Sequence, residues 1–266
     1  NDMHLPIRVP NIWFRAGWRH PDTGRPVNGV TLPGAPVLVA GSNGKLAWGF
    51  TNARGDWSDV VLLDTDPSGE RYATPDGFEP FAEHAETISI KDARPDQLLV
   101  RETRWGPVIG SDHRGRWLAL RWTAHDPAGV NTELAYLERA DTVEEALARA
   151  PRFGIPHQNL VLGDDRGAIA WTIAGPVPER SGLDGVLPTR WDRPGTGWRG
   201  YLDAGAHPQL RNPESGRIWT ANSRMLSGDG ARLIGSEAAA LGARQQQIRD
   251  RLRAAERFDE AAMLAI

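Results

Sequence analysis

Leu32-Pro33-Gly34-Ala35-Pro36-Val37-Leu38-Val39-Ala40-Gly41-Ser42-Asn43-Gly44-Lys45-Leu46-Ala47-Trp48-Gly49-Phe50-Thr51-Asn52 is the stretch from which the rest of the chain is read. Val37 to Ala40 is a short apolar run. Gly41-Ser42-Asn43-Gly44 carries turn chemistry, and Lys45 to Phe50 returns as a second run. Two such runs around a Gly/Asn turn predict a β-hairpin. The pattern recurs: Leu160-Val161-Leu162, the turn Asp164-Asp165-Arg166-Gly167, then Ala168-Ile169-Ala170-Trp171 predict another hairpin. Thr87 to Lys91, Leu99 to Thr103 and Trp117 to Trp122 read as further strands. Helices are fewer. Thr142-Val143-Glu144-Glu145 is a capping box opening a helix that stops before Pro151. A longer helix spans about Gly242 to Glu256, with Ile248 and Leu252 four residues apart. Asp259 is set to cap a last one.

Composition agrees with a chain of strands and turns. It has 266 residues, with 29 Gly, 20 Pro and 11 Trp against 3 Tyr. Hydrophobic residues are 40% and charged residues 24%, which excludes disorder as a description of the whole. A net charge of −3 gives no electrostatic footprint for nucleic acid. No apolar run approaches the roughly 18 residues of a membrane span. Cys is absent, so disulfides, thiolate metal sites and a Cys nucleophile are excluded within these residues. Asn1 to Pro6 reads as mid-domain sequence, and the last helix pattern reaches Ile266 in under two turns. The expectation is a single partial domain over residues 1–266, truncated at both ends.

Six segments, in order, resemble the penicillin acylase (penicillin amidase) family of N-terminal nucleophile hydrolases. They are Asn1-Asp2-Met3-His4-Leu5 with Pro10-Asn11-Ile12-Trp13; the opening stretch through Thr51-Asn52; and Gly55-Asp56-Trp57-Ser58-Asp59. They continue with Gln158-Asn159, Asp164 to Ile169 and Gly175-Pro176-Val177-Pro178-Glu179-Arg180; Asn212-Pro213-Glu214-Ser215-Gly216-Arg217-Ile218-Trp219-Thr220-Ala221-Asn222-Ser223-Arg224; and Ala243-Arg244 with Ile248. Met3 stands where the family has Pro. The resemblance implies an α+β fold, the four-layer αββα sandwich in part. It also implies a self-cleaving precursor whose larger chain begins with a nucleophilic Ser, the α-amine of that Ser acting as base. That Ser is expected a short way upstream of Asn1, so this piece alone is expected to be inactive. The implied partners are an acyl amide substrate, such as a β-lactam side chain or an acyl-homoserine lactone, and the small chain of the same precursor. Nucleic acid and membrane are not implied, export to the periplasm is, and no organic cofactor is required.

The same resemblance assigns residues. Asn222 matches the oxyanion Asn, whose side-chain N–H is worth roughly 3 kcal/mol of barrier. Asn52 matches the second oxyanion donor through its backbone N–H. His4 is expected to orient the amine or hydroxyl of the nucleophile, and Arg244 to support the oxyanion Asn. Leu5, Val39 and Ala40 match positions lining the acyl pocket, where the small Ala40 implies room for an aliphatic or bulky acyl group; core packing accounts for all three equally. Asp56, Ser58 and Asp59 resemble a Ca²⁺ loop, giving two carboxylates and a backbone carbonyl. Three ligands do not complete a Ca²⁺ shell. A further Asp of some relatives has no clear match here: Leu233 falls near its place and Asp229 is only nearby. Two other readings stand beside this one, a Trp-rich carbohydrate-binding β module and a family member without catalysis. A Ser-His-Asp hydrolase is disfavoured, because no Gly-x-Ser-x-Gly elbow occurs.

Overall fold

The structure is a computed structural model describing residues 5, 6, 8–235 and 239–266. The chain forms two compact units. The larger comprises the described residues of Asn1–Gly55, Pro127–Val177 and Leu202–Ile266; the smaller is Asp56–Asp126 with Pro178–Tyr201.

The larger unit is built on a seven-stranded antiparallel sheet of order β1-β2-β3-β4-β12-β13-β16. These strands are β1 (Phe14–Arg19), β2 (Pro26–Thr31), β3 (Ala40–Ser42), β4 (Leu46–Asn52), β12 (Gln158–Asp164), β13 (Ile169–Ala174) and β16 (Gln209–Arg211). Alternation along β4 explains its two faces. Leu46, Trp48 and Phe50 join Leu160 and Leu162 of β12 in a core sealed by helix α1 (Val143–Arg149) and the 3-10 segment Glu133–Glu138. Thr51 belongs to the opposite set, as does its partner Asn159 across the ladder. Helices α2 (Gly228–Ile234), α3 (Ala243–Arg253) and α4 (Glu260–Leu264) follow the sheet.

The smaller unit holds a five-stranded antiparallel sheet, β5-β11-β10-β9-β8. Its strands are β5 (Ser58–Leu62), β8 (Ala82–Ile88), β9 (Asp96–Thr103), β10 (Gly106–Ser111) and β11 (Trp117–Trp122). Two hairpins complete it, β6 (Arg71–Thr74) with β7 (Gly77–Pro80) and β14 (Pro178–Ser181) with β15 (Gly197–Tyr201). Val61, Leu63, Tyr72, Ala119 and Trp191 form its core.

The decisive hairpin exists, but three residues later in its first strand than the apolar run predicts. Residues 37–39 lie outside β3, which starts at Ala40. The cause is the turn. Asn43 is buried; its Oδ1 accepts from the N–H groups of Lys45 and Leu46, and its Nδ2 donates to the carbonyls of Leu137 and Ala140. A tertiary anchor at Asn43 therefore sets where the strands turn.

Candidate active site

The last residue of β4 lies where the sheet thins. β3 pairs with β4 only through Gly41↔Trp48 and Ser42↔Ala47, whereas β12 follows β4 as far as Gln158↔Asn52. Ala53 donates to the His157 carbonyl at 3.2 Å. Ladder bonds toward one neighbour alternate along an antiparallel strand, so Asn52 presents both its N–H and its C=O away from β12. That edge faces the side where β3 has ended. The Asn52 carbonyl there accepts from Asn222 Nδ2 at 3.0 Å. The Asn52 N–H lies along the same edge.

Asn222 is buried, with 4% of its surface exposed, so the orientation of its amide matters. Arg244, in the first turn of α3, donates through Nη2 to Asn222 Oδ1. A guanidinium carries donors only. The oxygen of Asn222 must therefore face Arg244, and Nδ2 must face Asn52. One N–H of that Nδ2 holds the Asn52 carbonyl, and the amide has a second. The structure thus brings together Asn52, Asn222 and Arg244, from β4, the segment after residue 218 and α3.

Sequence reading missed the base of this array. Asn159 on β12 donates through Nδ2 to Thr51 Oγ1 at 3.0 Å, to the Ala221 carbonyl at 3.2 Å and to the Asn52 carbonyl at 3.4 Å. Its Oδ1 accepts from Trp171 Nε1 at 3.1 Å. The Thr51 hydroxyl donates in turn to the Ala221 carbonyl at 2.6 Å. The available signal was the Gln158-Asn159 pair itself, a polar doublet opening a strand that continues as the apolar run Leu160-Val161-Leu162.

His157 and His207 are buried in the same unit. His157 Nε2 donates to the Pro176 carbonyl at 2.8 Å, and His207 Nε2 to the Ile173 carbonyl at 2.9 Å. Burial pushes each down to about 4, keeping both neutral at ordinary pH.

A cleft of about 520 Å³ adjoins Thr51, Thr220, Ala221 and Arg244, with Trp48, Phe50, Val161 and Ile248 among its apolar walls. Leu5, Val39 and Ala40 do not line it. Leu5 is exposed, Val39 packs against the sheet core and Ala40 is buried in β3. His4 lies outside the described residues.

Asp56 and Asp59 also come together, but around an arginine. Arg180 Nε donates to Asp59 Oδ2 at 2.9 Å, and its Nη2 donates to the Asp56 carbonyl at 2.9 Å and lies 3.3 Å from Asp56 Oδ2. Trp198, opposite Arg180 in the β14–β15 ladder, donates through Nε1 to the same Asp59 oxygen. Gly185 closes over the cluster: a Cβ there would stand 2.5 Å from Asp56 Oδ2 and 3.0 Å from Asp59 Oδ1. Among the described residues no three acidic or His side chains are grouped to hold a metal. Ca²⁺ takes six to eight oxygens. Carboxylates held by a guanidinium and an indole, with backbone against them, do not fit that ion.

The comparisons with known proteins bear on this arrangement. The penicillin amidase family model matches residues 1–266. The chain is 34% identical over 253 residues to acyl-homoserine lactone acylase QuiP of Pseudomonas aeruginosa, covering 89% of this chain and 29% of that protein. It is 31% identical over 204 residues to penicillin acylase 2 proenzyme of Pseudomonas sp. strain SE83, covering 76% of this chain and 26% of the relative. The chain therefore spans less than a third of the length of these curated relatives. Among solved structures, the thermostable penicillin G acylase from Alcaligenes faecalis superposes with a TM-score of 0.80 over 95% of this chain and 45% of that one, at 21% identity. That likeness shows the fold: α+β, strand-rich with few helices, as in that acylase.

Proposed function

This chain belongs to the penicillin amidase family, and from that premise we propose that it is the part of an acylase that supplies the oxyanion donors for hydrolysis of a linear acyl amide. The observation carrying the reading is the Arg244–Asn222–Asn52 array, in which a donor-only guanidinium turns a buried amide N–H toward a strand edge. An oxyanion needs such donors, fixed before charge develops.

The proposed reaction begins with the hydroxyl of an N-terminal Ser attacking the amide carbonyl, its proton passing to the α-amine. The carbonyl oxygen becomes an oxyanion between Asn222 Nδ2–H and the Asn52 N–H. Collapse breaks the C–N bond, and the amine departs with that proton. Water then attacks the acyl ester, releasing the acid and restoring the hydroxyl. His4 and Arg244 support the site. The small chain of the same precursor and export to the periplasm belong to the same reading. The Ca²⁺ of the family resemblance is not carried into it, because Arg180 holds the two carboxylates.

The relatives' names divide between acyl-homoserine lactones and penicillins. Ala40 lies outside the cleft lining, so the proposed preference for an aliphatic acyl chain over phenylacetyl rests on the family match of that position alone. The carbohydrate-binding reading gains no support: among the described Trp residues only Trp18 and Trp122 are exposed, which leaves no platform of stacked indoles for sugar.

The first test is the intact mass and N-terminal sequence of the matured large chain from the complete gene product. A chain beginning with Ser is the expected result; an uncleaved product, or one starting without a hydroxyl or thiol, overturns the proposal. Hydrolysis of octanoyl and phenylacetyl amides then tests the acyl preference, and a clear preference for phenylacetyl sinks it.

A further inference from the structure

Both donors of the proposed oxyanion site depend on one amide in neither of them. Asn159 is 3% exposed, so water does not stand in for its partners. Its oxygen is committed by Trp171 Nε1, an indole N–H that only donates. The commitment turns Nδ2 away from β13 and onto the strand end that carries Asn52. From there Nδ2 reaches Thr51 Oγ1, the Ala221 carbonyl and, through a longer shared bond, the Asn52 carbonyl. Thr51 and Ala221 immediately precede Asn52 and Asn222. Their separate bond, from the Thr51 hydroxyl to the Ala221 carbonyl, closes a ring around Asn159.

We propose that Asn159 is a positioning residue that sets the spacing between the Asn52 N–H and the Asn222 amide, with Trp171 fixing its orientation. Trp171 orients Asn159 as Arg244 orients Asn222: in each pair a donor-only group fixes which way the amide faces. Both Nδ2 atoms converge on one carbonyl, that of Asn52. Asn159 has no role in proton transfer or attack. Its removal leaves every reacting group in place but frees the two donors to shift relative to each other. A misplacement on the order of 1 Å in such a site costs about 100-fold in rate.

The inference rests on the acylase reading, and the experiment separates the two. The matured complete enzyme is compared with Asn159→Asp, which keeps shape but loses the Nδ2 donors, and Trp171→Phe, which loses only the orienting N–H. Each is assayed for kcat, KM, melting temperature and inhibition by an alkylboronic acid, which forms a tetrahedral adduct on the Ser. Asn159→Asp is expected to lower kcat by about 10- to 100-fold, with KM within about threefold, and to weaken boronate inhibition in parallel. Trp171→Phe should move kcat and boronate affinity the same way by less. A purely structural role would lower the melting temperature and leave kcat and boronate inhibition of the folded fraction unchanged; that result overturns the proposal. If Asn159→Asp does not mature, Trp171→Phe decides by the same criteria. An inactive wild type without an N-terminal Ser fells the acylase reading, and this inference with it. An active wild type with equally active variants fells the inference alone.

Discussion

Arg244 in the larger unit and Arg180 in the smaller unit are both drawn into polar clusters, yet the clusters have different chemistry. Arg244 meets the oxygen of a neutral amide, and the consequence is an amide nitrogen turned toward the strand edge at Asn52. Arg180 meets two carboxylates, one of them on a side chain only 3% exposed, and Trp198 and Gly185 close the remaining approach. The first arrangement orients a neutral donor at a strand edge. The second neutralises buried charge and leaves little to offer a ligand. A buried polar cluster is thus evidence of function only when the hydrogen-bond accounting leaves a donor or acceptor directed outward; when every group is turned inward, the same residue types are scaffolding.

The largest effect expected is at the closed cluster. Arg180→Met leaves Asp59 buried with only the indole N–H, and breaking one side of such a pair costs about 3–5 kcal/mol. Melting of the complete protein should fall accordingly, while activity of the fraction that remains folded stays near wild type. Chelation with EDTA should leave the melting temperature of the wild type unchanged, because the guanidinium is the cation of this cluster. A several-degree loss on chelation that vanishes in Asp56→Asn would break the comparison, since the cluster would then be holding a metal.

Next comes the open array, where the effect should fall on rate. Asn222→Ala removes one oxyanion donor and is expected to lower kcat by about 100- to 1,000-fold. The melting temperature should move less than in Arg180→Met. Steady-state kinetics beside differential scanning fluorimetry on the two variants gives the contrast directly: one loses rate, the other stability. If Asn222→Ala loses stability as Arg180→Met does and retains its rate, the two clusters are alike and the catalytic assignment of Asn222 is wrong.

What the sequence revealed follows the range of the forces involved. Thr142 caps α1, accepting from the Glu145 N–H, and Asp259 caps α4, accepting from Ala262. β11 runs from Trp117 to Trp122 as the pattern predicts. All of these depend on neighbours within a few residues. Asn222 and Arg244 were visible only through the spacing of family segments. Asn159 and Arg180 were not recognised for their roles. Asn159 meets Ala221 across 62 residues and Arg180 meets Asp59 across 121, and no local pattern encodes a hydrogen bond at that separation. The shift of β3 has the same origin, since Asn43 is anchored by carbonyls more than ninety residues away.

Acid should separate the two units by a smaller margin. His157 and His207, both in the larger unit, are buried and held down to about 4 from an ordinary 6.5. The unfolded chain therefore takes up protons first as pH falls. Their contribution to stability is complete above about 6.5 and is lost progressively toward 4, amounting to about 2 kcal/mol for one such group at pH 5. The described histidines of the smaller unit, His84, His113 and His125, are exposed. Hydrogen-exchange pulse labelling after incubation at pH 5 and pH 7 should therefore show peptides from residues 157–177 and 203–211 losing protection at pH 5, with peptides from residues 178–201 changing less. His207→Gln keeps a donor to the Ile173 carbonyl without a titrating ring, so it should flatten the pH dependence of the first set and leave the second alone. Equal acid sensitivity in both sets, unaltered by His207→Gln, would show that the buried histidines do not govern the larger unit's response to pH.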